Sequence, residues 1–124
     1  MGRGGDEPPA LPADGVVVFY FHTNRRCPEC DRIRAWARET VESDFADALR
    51  ARRLFWRVVN IASKPNRHFA DDYKLYAATV VLSERRGGRE VRWKNLERVW
   101  DLVADQPRFK TYVRDEVTAF LKGA

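Results

Sequence analysis

The chain is poor in the features that would take it out of the class of ordinary globular domains. Its longest apolar run is Val16–Phe21, far short of the ~20 residues a membrane-crossing helix needs. That excludes a transmembrane helix and makes a membrane partner unexpected. Only 2 of the 124 residues are cysteine, which excludes a disulfide-dense scaffold. Residues 1–15 contain Arg3 but no apolar segment of the kind found in secretory signals. The expected location is therefore the reducing cytoplasm, where a close cysteine pair is more often catalytic or metal-binding than structural. Basic residues outnumber acidic ones, 23 to 18, yet they form no dense tract. Arginines run from Arg3 to Arg114 interleaved with Asp and Glu, and no aromatic RNA-binding motif accompanies them. The pattern is that of a solvated surface, so no nucleic-acid partner is expected.

What is present is a core. Apolar residues make up 44% of the chain, enough for one domain at this length. Residues 1–15, with Pro8, Pro9 and Pro12, form a flexible leader with nothing to bury, and residues 16–124 form the domain. Val16–Phe21 is β-branched and aromatic throughout, the signature of a strand covered on both faces. A helix follows, opened by Pro28, with Ile33, Trp36, Ala37, Thr40 and Val41 on one face. It bends or restarts near Ser43 and runs to about Arg52. A second strand covers Leu54–Ile61, and Pro65 opens a short helix bearing Phe69 and Tyr73. The third and fourth strands, Thr79–Ser83 and Glu90–Trp93, flank a Gly87-Gly88 turn. Leu96, Val99, Trp100 and Val103 mark a helix, and Pro107 opens the last one. The order β-α-β-α-β-β-α predicts an α/β fold: a mixed four-stranded sheet with helices on both faces.

The chemistry concentrates in Cys27-Pro28-Glu29-Cys30, in the turn between the first strand and its helix. Cys27 falls at the helix N-terminus, where unpaired N–H groups and the positive end of the dipole favour a thiolate. Arg25 and Arg26 add positive charge and Glu29 opposes it. This makes Cys27 the nucleophile and Cys30, expected to be the more buried, the resolving thiol. The plain alternative is two small, inert buried residues at a helix start.

Over residues 16–122 the chain resembles the thioredoxin-like superfamily. The resemblance rests on Phe19-Tyr20-Phe21-His22 leading into Arg26-Cys27-Pro28-Glu29-Cys30, on Val59-Asn60-Ile61, and on Asp72-Tyr73-Lys74-Leu75 ahead of Thr79-Val80-Val81-Leu82. More narrowly, Trp93-Lys94-Asn95-Leu96 and Phe109-Lys110-Thr111-Tyr112-Val113 are similar to a small bacterial thioredoxin-like family associated with arsenic operons and labelled nitrophenyl compound nitroreductase subunit. Nitro reduction requires a flavin, and the sequence holds no flavin motif, so no bound cofactor is expected. The resemblance implies a monomeric thiol–disulfide oxidoreductase acting on a protein or small-molecule disulfide, with electrons supplied by a partner reductase or a thiol pool. The alternative is a non-enzymatic module whose cysteine pair binds a soft metal, arsenite or a protein partner.

Three departures stand out. Pro28 follows the first cysteine directly where thioredoxins have Gly-Pro. The first strand lacks the buried acid that serves the resolving thiol, leaving His22 as the nearest candidate proton carrier. No proline lies between Pro65 and Pro107, so the superfamily's cis-proline is absent and Ala78 or Thr79 takes its place. That weakens the expected grip on a generic substrate backbone. His22, His68 and the two cysteines match no zinc-finger spacing, so no metal site is expected. His68 is read as a surface residue and Asp71-Asp72 as a solvated helix face. Trp36, Trp56, Trp93 and Trp100 are read as core.

Overall fold

The computed structural model describes residues 5–123. Strand β1 (Gly15–His22) is followed by α1 (Pro28–Asp44), α2 (Ala46–Arg50), β2 (Leu54–Asn60), α3 (His68–Asp72), β3 (Thr79–Arg86), β4 (Arg89–Asn95) and α4 (Gln106–Gly123). Short 3-10 turns cover Lys64–Asn66 and Glu97–Leu102.

The sheet order is β2-β1-β3-β4, with β1 parallel to β2 and antiparallel to β3. The fully apolar run therefore lies in an interior strand. Val16, Val18 and Tyr20 face α1 and α4, where they meet Ile33, Ala37, Val41, Phe109, Val113 and Val117. Val17, Phe19 and Phe21 face the other way, onto Phe69, Tyr73 and Leu75. There the Phe19 and Phe21 rings stack with centroids 4.8 Å apart. This is the thioredoxin-like α/β arrangement: a mixed sheet, helices on both faces, and the cysteine pair in the first βα turn.

Several expectations shift in detail. The hairpin turn is confined to Gly87 and Gly88, at φ +58° and +82°. A two-residue turn of this hand matches the twist of its strands, so both strands run right up to it and exceed the predicted bounds. The break after α1 falls at Phe45, and α2 ends at Arg50. The segment around Leu96–Val103 is a 3-10 turn rather than an α-helix, which suits apolar residues spaced three apart. Trp93 is not core. It is 40% exposed on β4, which pairs only with β3, and its ring meets Tyr73 edge-on at 5.1 Å.

The leader segment makes hydrogen bonds to the domain in its described part. Residues 1–4 of it lie outside the described residues, but residues 5–14 are tied to the domain. Asn60 N–H donates to Gly5 O at 2.8 Å. Asn66 Nδ2 donates to Gly5 O and Glu7 O at 2.9 and 3.1 Å. Arg57 and Arg85 reach Ala10 O and Pro12 O. Backbone carbonyls of this strap supply most of these contacts, and its Asp6 and Asp14 carboxylates add two more, accepting from Asn60 Nδ2 at 2.8 Å and Gly87 N–H at 3.0 Å. Gly5, at φ +85°, approaches so closely that a Cβ there would lie 2.7 Å from Val58 O.

Candidate active site

The site begins with the N-terminus of α1. Cys27 is extended (φ −153°, ψ 145°), and Pro28 takes the first helical position, where a missing N–H costs nothing. Cys27 Sγ accepts the Cys30 N–H at 3.0 Å, so the sulfur itself caps the helix. Cys27 and Cys30 form a disulfide, with Cα atoms 5.2 Å apart. Both are half-buried, and Cys30 is the one packed against the core.

Behind Cys30 lies the end of β1. Tyr20 Oη donates to Cys30 O at 3.0 Å, and the Tyr20 ring stacks on His22 at 5.9 Å. His22 is 6% exposed. Its Nδ1 lies 2.8 Å from Thr23 O. A carbonyl can only accept, so Nδ1 donates to it. Nε2 is buried and has no hydrogen-bond partner among the described residues. The His22 residue lines a cavity with Cys30, Arg25, Arg26, Asp31 and Arg34.

On the other side, Cys27 and Cys30 share a groove with Tyr76, Ala77, Ala78 and Trp100. Trp100 Nε1 donates to Ala78 O at 2.7 Å. No cis peptide bond occurs among the described residues, so Ala78–Thr79 is trans. Ala78 stands beside the cysteines. Thr79 does not share that groove; it is buried, and its Oγ1 donates to Asn95 Oδ1 at 2.9 Å.

Of the residues expected at the site, Cys27, Cys30, Arg26, Pro28, His22 and Ala78 come together and Thr79 turns away. His68 is exposed and pairs with Asp72 at 2.7 Å. Among the described residues no group of three or more His, Cys, Asp or Glu is arranged to hold a metal ion. None of their helices is long and apolar enough to cross a membrane.

Tyr76, Trp100, Tyr20 and Arg34 are site residues that sequence reasoning missed. Tyr76 is 94% exposed in the segment joining α3 to β3. Only its place just before the third strand could have flagged it. Trp100 gave the signal of a core residue, and it is one, packed against the core on one side and lining the groove on the other.

No family model matches the chain, and no curated protein matches it. Solved structures do. Thioredoxin f2 of Chlamydomonas reinhardtii is 20% identical, with 73% of this chain and 75% of that one covered and a TM-score of 0.45. A Malassezia sympodialis thioredoxin is 15% identical, covering 85% of this chain and 77% of that one, with a TM-score of 0.47. A Thermus thermophilus thioredoxin is 21% identical, covering 73% and 72%, with a TM-score of 0.42.

Proposed function

We propose that the chain is a thiol–disulfide oxidoreductase in which Cys27 attacks and Cys30 resolves. The observation that carries this reading is the asymmetry of the two sulfurs. Cys27 Sγ accepts a backbone N–H at the start of a 17-residue helix, while Cys30 packs inward against the core. A hydrogen bond and a dipole aimed at one sulfur favour the thiolate there. Arg26, exposed beside Cys27, adds to that field, and Pro28 starts the helix so that the field falls on Cys27.

In the reducing direction, the Cys27 thiolate attacks one sulfur of the substrate disulfide. A Cys27–substrate disulfide forms and the other substrate thiolate leaves. Cys30, once deprotonated, attacks Cys27 Sγ. The Cys27–Cys30 disulfide forms and the second substrate thiolate leaves. The protein dithiol loses two electrons and the substrate gains them. His22, whose buried Nε2 has no hydrogen-bond partner among the described residues and which lines the same cavity as Cys30, is the acceptor we assign for the Cys30 proton. An external dithiol reductase or thiol pool returns the dithiol. We place the protein in the cytoplasm as a monomer, alongside the small bacterial family that its Trp93–Leu96 and Phe109–Val113 segments resemble.

Alkylation of the reduced protein with a limiting reagent at pH 7 tests the assignment. Cys27 is labelled first, and Cys30→Ser accumulates a mixed disulfide with substrate that Cys27→Ser does not form. His22→Gln slows release of the mixed disulfide more than its formation. Preferential labelling of Cys30 reverses the roles.

A further inference from the structure

The disulfide lies where two unlike cavities meet. Cys30 and Arg25 line both. One is apolar, walled by Tyr76, Ala77, Ala78 and Trp100. The other gathers the guanidinium groups of Arg25, Arg26 and Arg34 against a single carboxylate, Asp31. Glu29, the remaining acid nearby, lines the apolar groove instead. Some arginines elsewhere pair with carboxylates, among them Arg38 with Glu42 and Arg92 with Glu84, while others, such as Arg52 and Arg98, have no such pair among the described residues; what sets Arg25, Arg26 and Arg34 apart is that they line one cavity together beside Cys30. Among the described residues no ion pair reaches Arg25, Arg26 or Arg34. Three cations against one carboxylate leave an excess of positive charge in the cavity, and an anionic ligand offsets it. The cationic cavity holds about 250 Å³. That is roughly the share of eight liquid waters, room for the carboxylates of one or two acidic side chains but not for a folded domain.

We propose that the substrate is a peptide disulfide with acidic residues beside its reacting cysteine. Its carboxylates sit among Arg25, Arg26 and Arg34, and its apolar flank lies against Tyr76 and Trp100. This rests on the reading of Cys27–Cys30 as a reducing dithiol, and it adds the charge of what that dithiol reduces. The reaction is the two-step exchange already written: the acidic peptide disulfide is reduced to two thiols, and Cys27–Cys30 is oxidised. The guanidinium groups enter no bond change. They raise the local concentration of the anionic disulfide and hold it beside Cys27.

The test uses the full reduced chain and two synthetic peptide disulfides, identical except that glutamates or lysines flank the cysteine. Single-turnover oxidation of the dithiol is followed by quench and mass analysis. The glutamate peptide reacts about tenfold faster or more at low ionic strength, the scale of electrostatic steering. The ratio falls toward one in about 1 M salt, where the Debye length is only about 3 Å. In a variant combining Arg25→Gln, Arg26→Gln and Arg34→Gln, the low-salt ratio also falls toward one. A wild-type ratio of one or below overturns the proposal, as does a ratio that the triple variant leaves unchanged. Should neither peptide be reduced, a small-molecule oxidant separates the two claims. If it re-forms the Cys27–Cys30 disulfide, the acidic substrate is wrong and the redox pair stands. If it does not, the underlying reading fails.

Discussion

Replacing Trp100 with Phe removes one N–H from the wall of the cysteine groove and little else. That N–H is donated to Ala78 O at 2.7 Å, and Ala78 is 5% exposed. An extended peptide lying beside Cys27 needs backbone partners, and the Ala78 carbonyl, at the entry to β3, is already engaged. The unmodified chain should therefore reduce a generic disulfide such as insulin's only weakly. Trp100→Phe should move two quantities in opposite directions. Losing the bond and leaving a mostly buried carbonyl short of a donor costs about 1–2 kcal/mol. For a domain of this size that is a fall in Tm of roughly 4–8 °C. The freed carbonyl can accept a substrate N–H, worth about 0.5–1.5 kcal/mol net, or roughly a two- to tenfold rise in kcat/KM. Thermal unfolding and turbidimetric insulin reduction measure the pair. A fall in Tm with unchanged or lower kcat/KM would show that the Ala78 carbonyl is not what limits substrate binding. Full thioredoxin-level insulin reduction by the unmodified chain would refute the argument at its root.

Two further predictions concern the frame. The Glu84 side chain is 2% exposed and is held by Arg92 Nε at 2.7 Å and Arg86 Nη2 at 2.8 Å. Burial alone would raise its carboxyl, but the two arginines outweigh burial and hold it below the usual carboxylate range. A depressed folded value means that the stabilisation is present above the ordinary carboxylate pKa and is lost as pH falls through the folded value. Glu84→Gln should cost about 2 kcal/mol by urea unfolding at pH 7, and the gap should narrow in acid; a gap that widens there refutes the assignment. Asn66→Ala removes the donor to Gly5 O and Glu7 O. Hydrogen exchange at the Asn60 amide, which donates to Gly5 O, should then accelerate, and an unchanged rate would mean that the strap holds without Asn66.

The half of the site that could be read from the sequence is its local half. Tyr20 to Cys30 spans one strand end, one turn and one helix start. The position of Cys27 follows from the apolar run before it and Pro28 after it. The other half is remote. Ala78 was placed through the missing proline, yet nothing in Leu75–Thr79 shows that Tyr76 is exposed over the groove. Trp100 comes from a third segment, brought in because Leu96 N–H donates to Val80 O at 2.8 Å and anchors the 3-10 turn at the start of β3. Thr79 shows the same limit from the other side. A β-branched residue next to the missing proline looks like a site residue, and only the β3–β4 register, which sets Val81 opposite Asn95, brings Asn95 within reach of its hydroxyl.

The two halves also divide the chemistry. Cys27, Pro28 and Cys30 are neighbours along the chain, so their relation survives small shifts of the sheet, and closure of the Cys27–Cys30 disulfide depends on little beyond the start of α1. In the proposed reaction, the groups that would meet the substrate are carried by separate elements: Arg34 on α1, Tyr76 and Ala78 ahead of β3, and Trp100 in the 3-10 turn. A shift of even an ångström between such elements is costly for in-line attack on a disulfide. Perturbations of the loop before β3 should therefore change which disulfides react long before they abolish the Cys27–Cys30 couple. The Trp100–Ala78 hydrogen bond joins two of those elements beside the groove, so Trp100→Phe is the substitution that tests whether their relative placement sets which disulfides react.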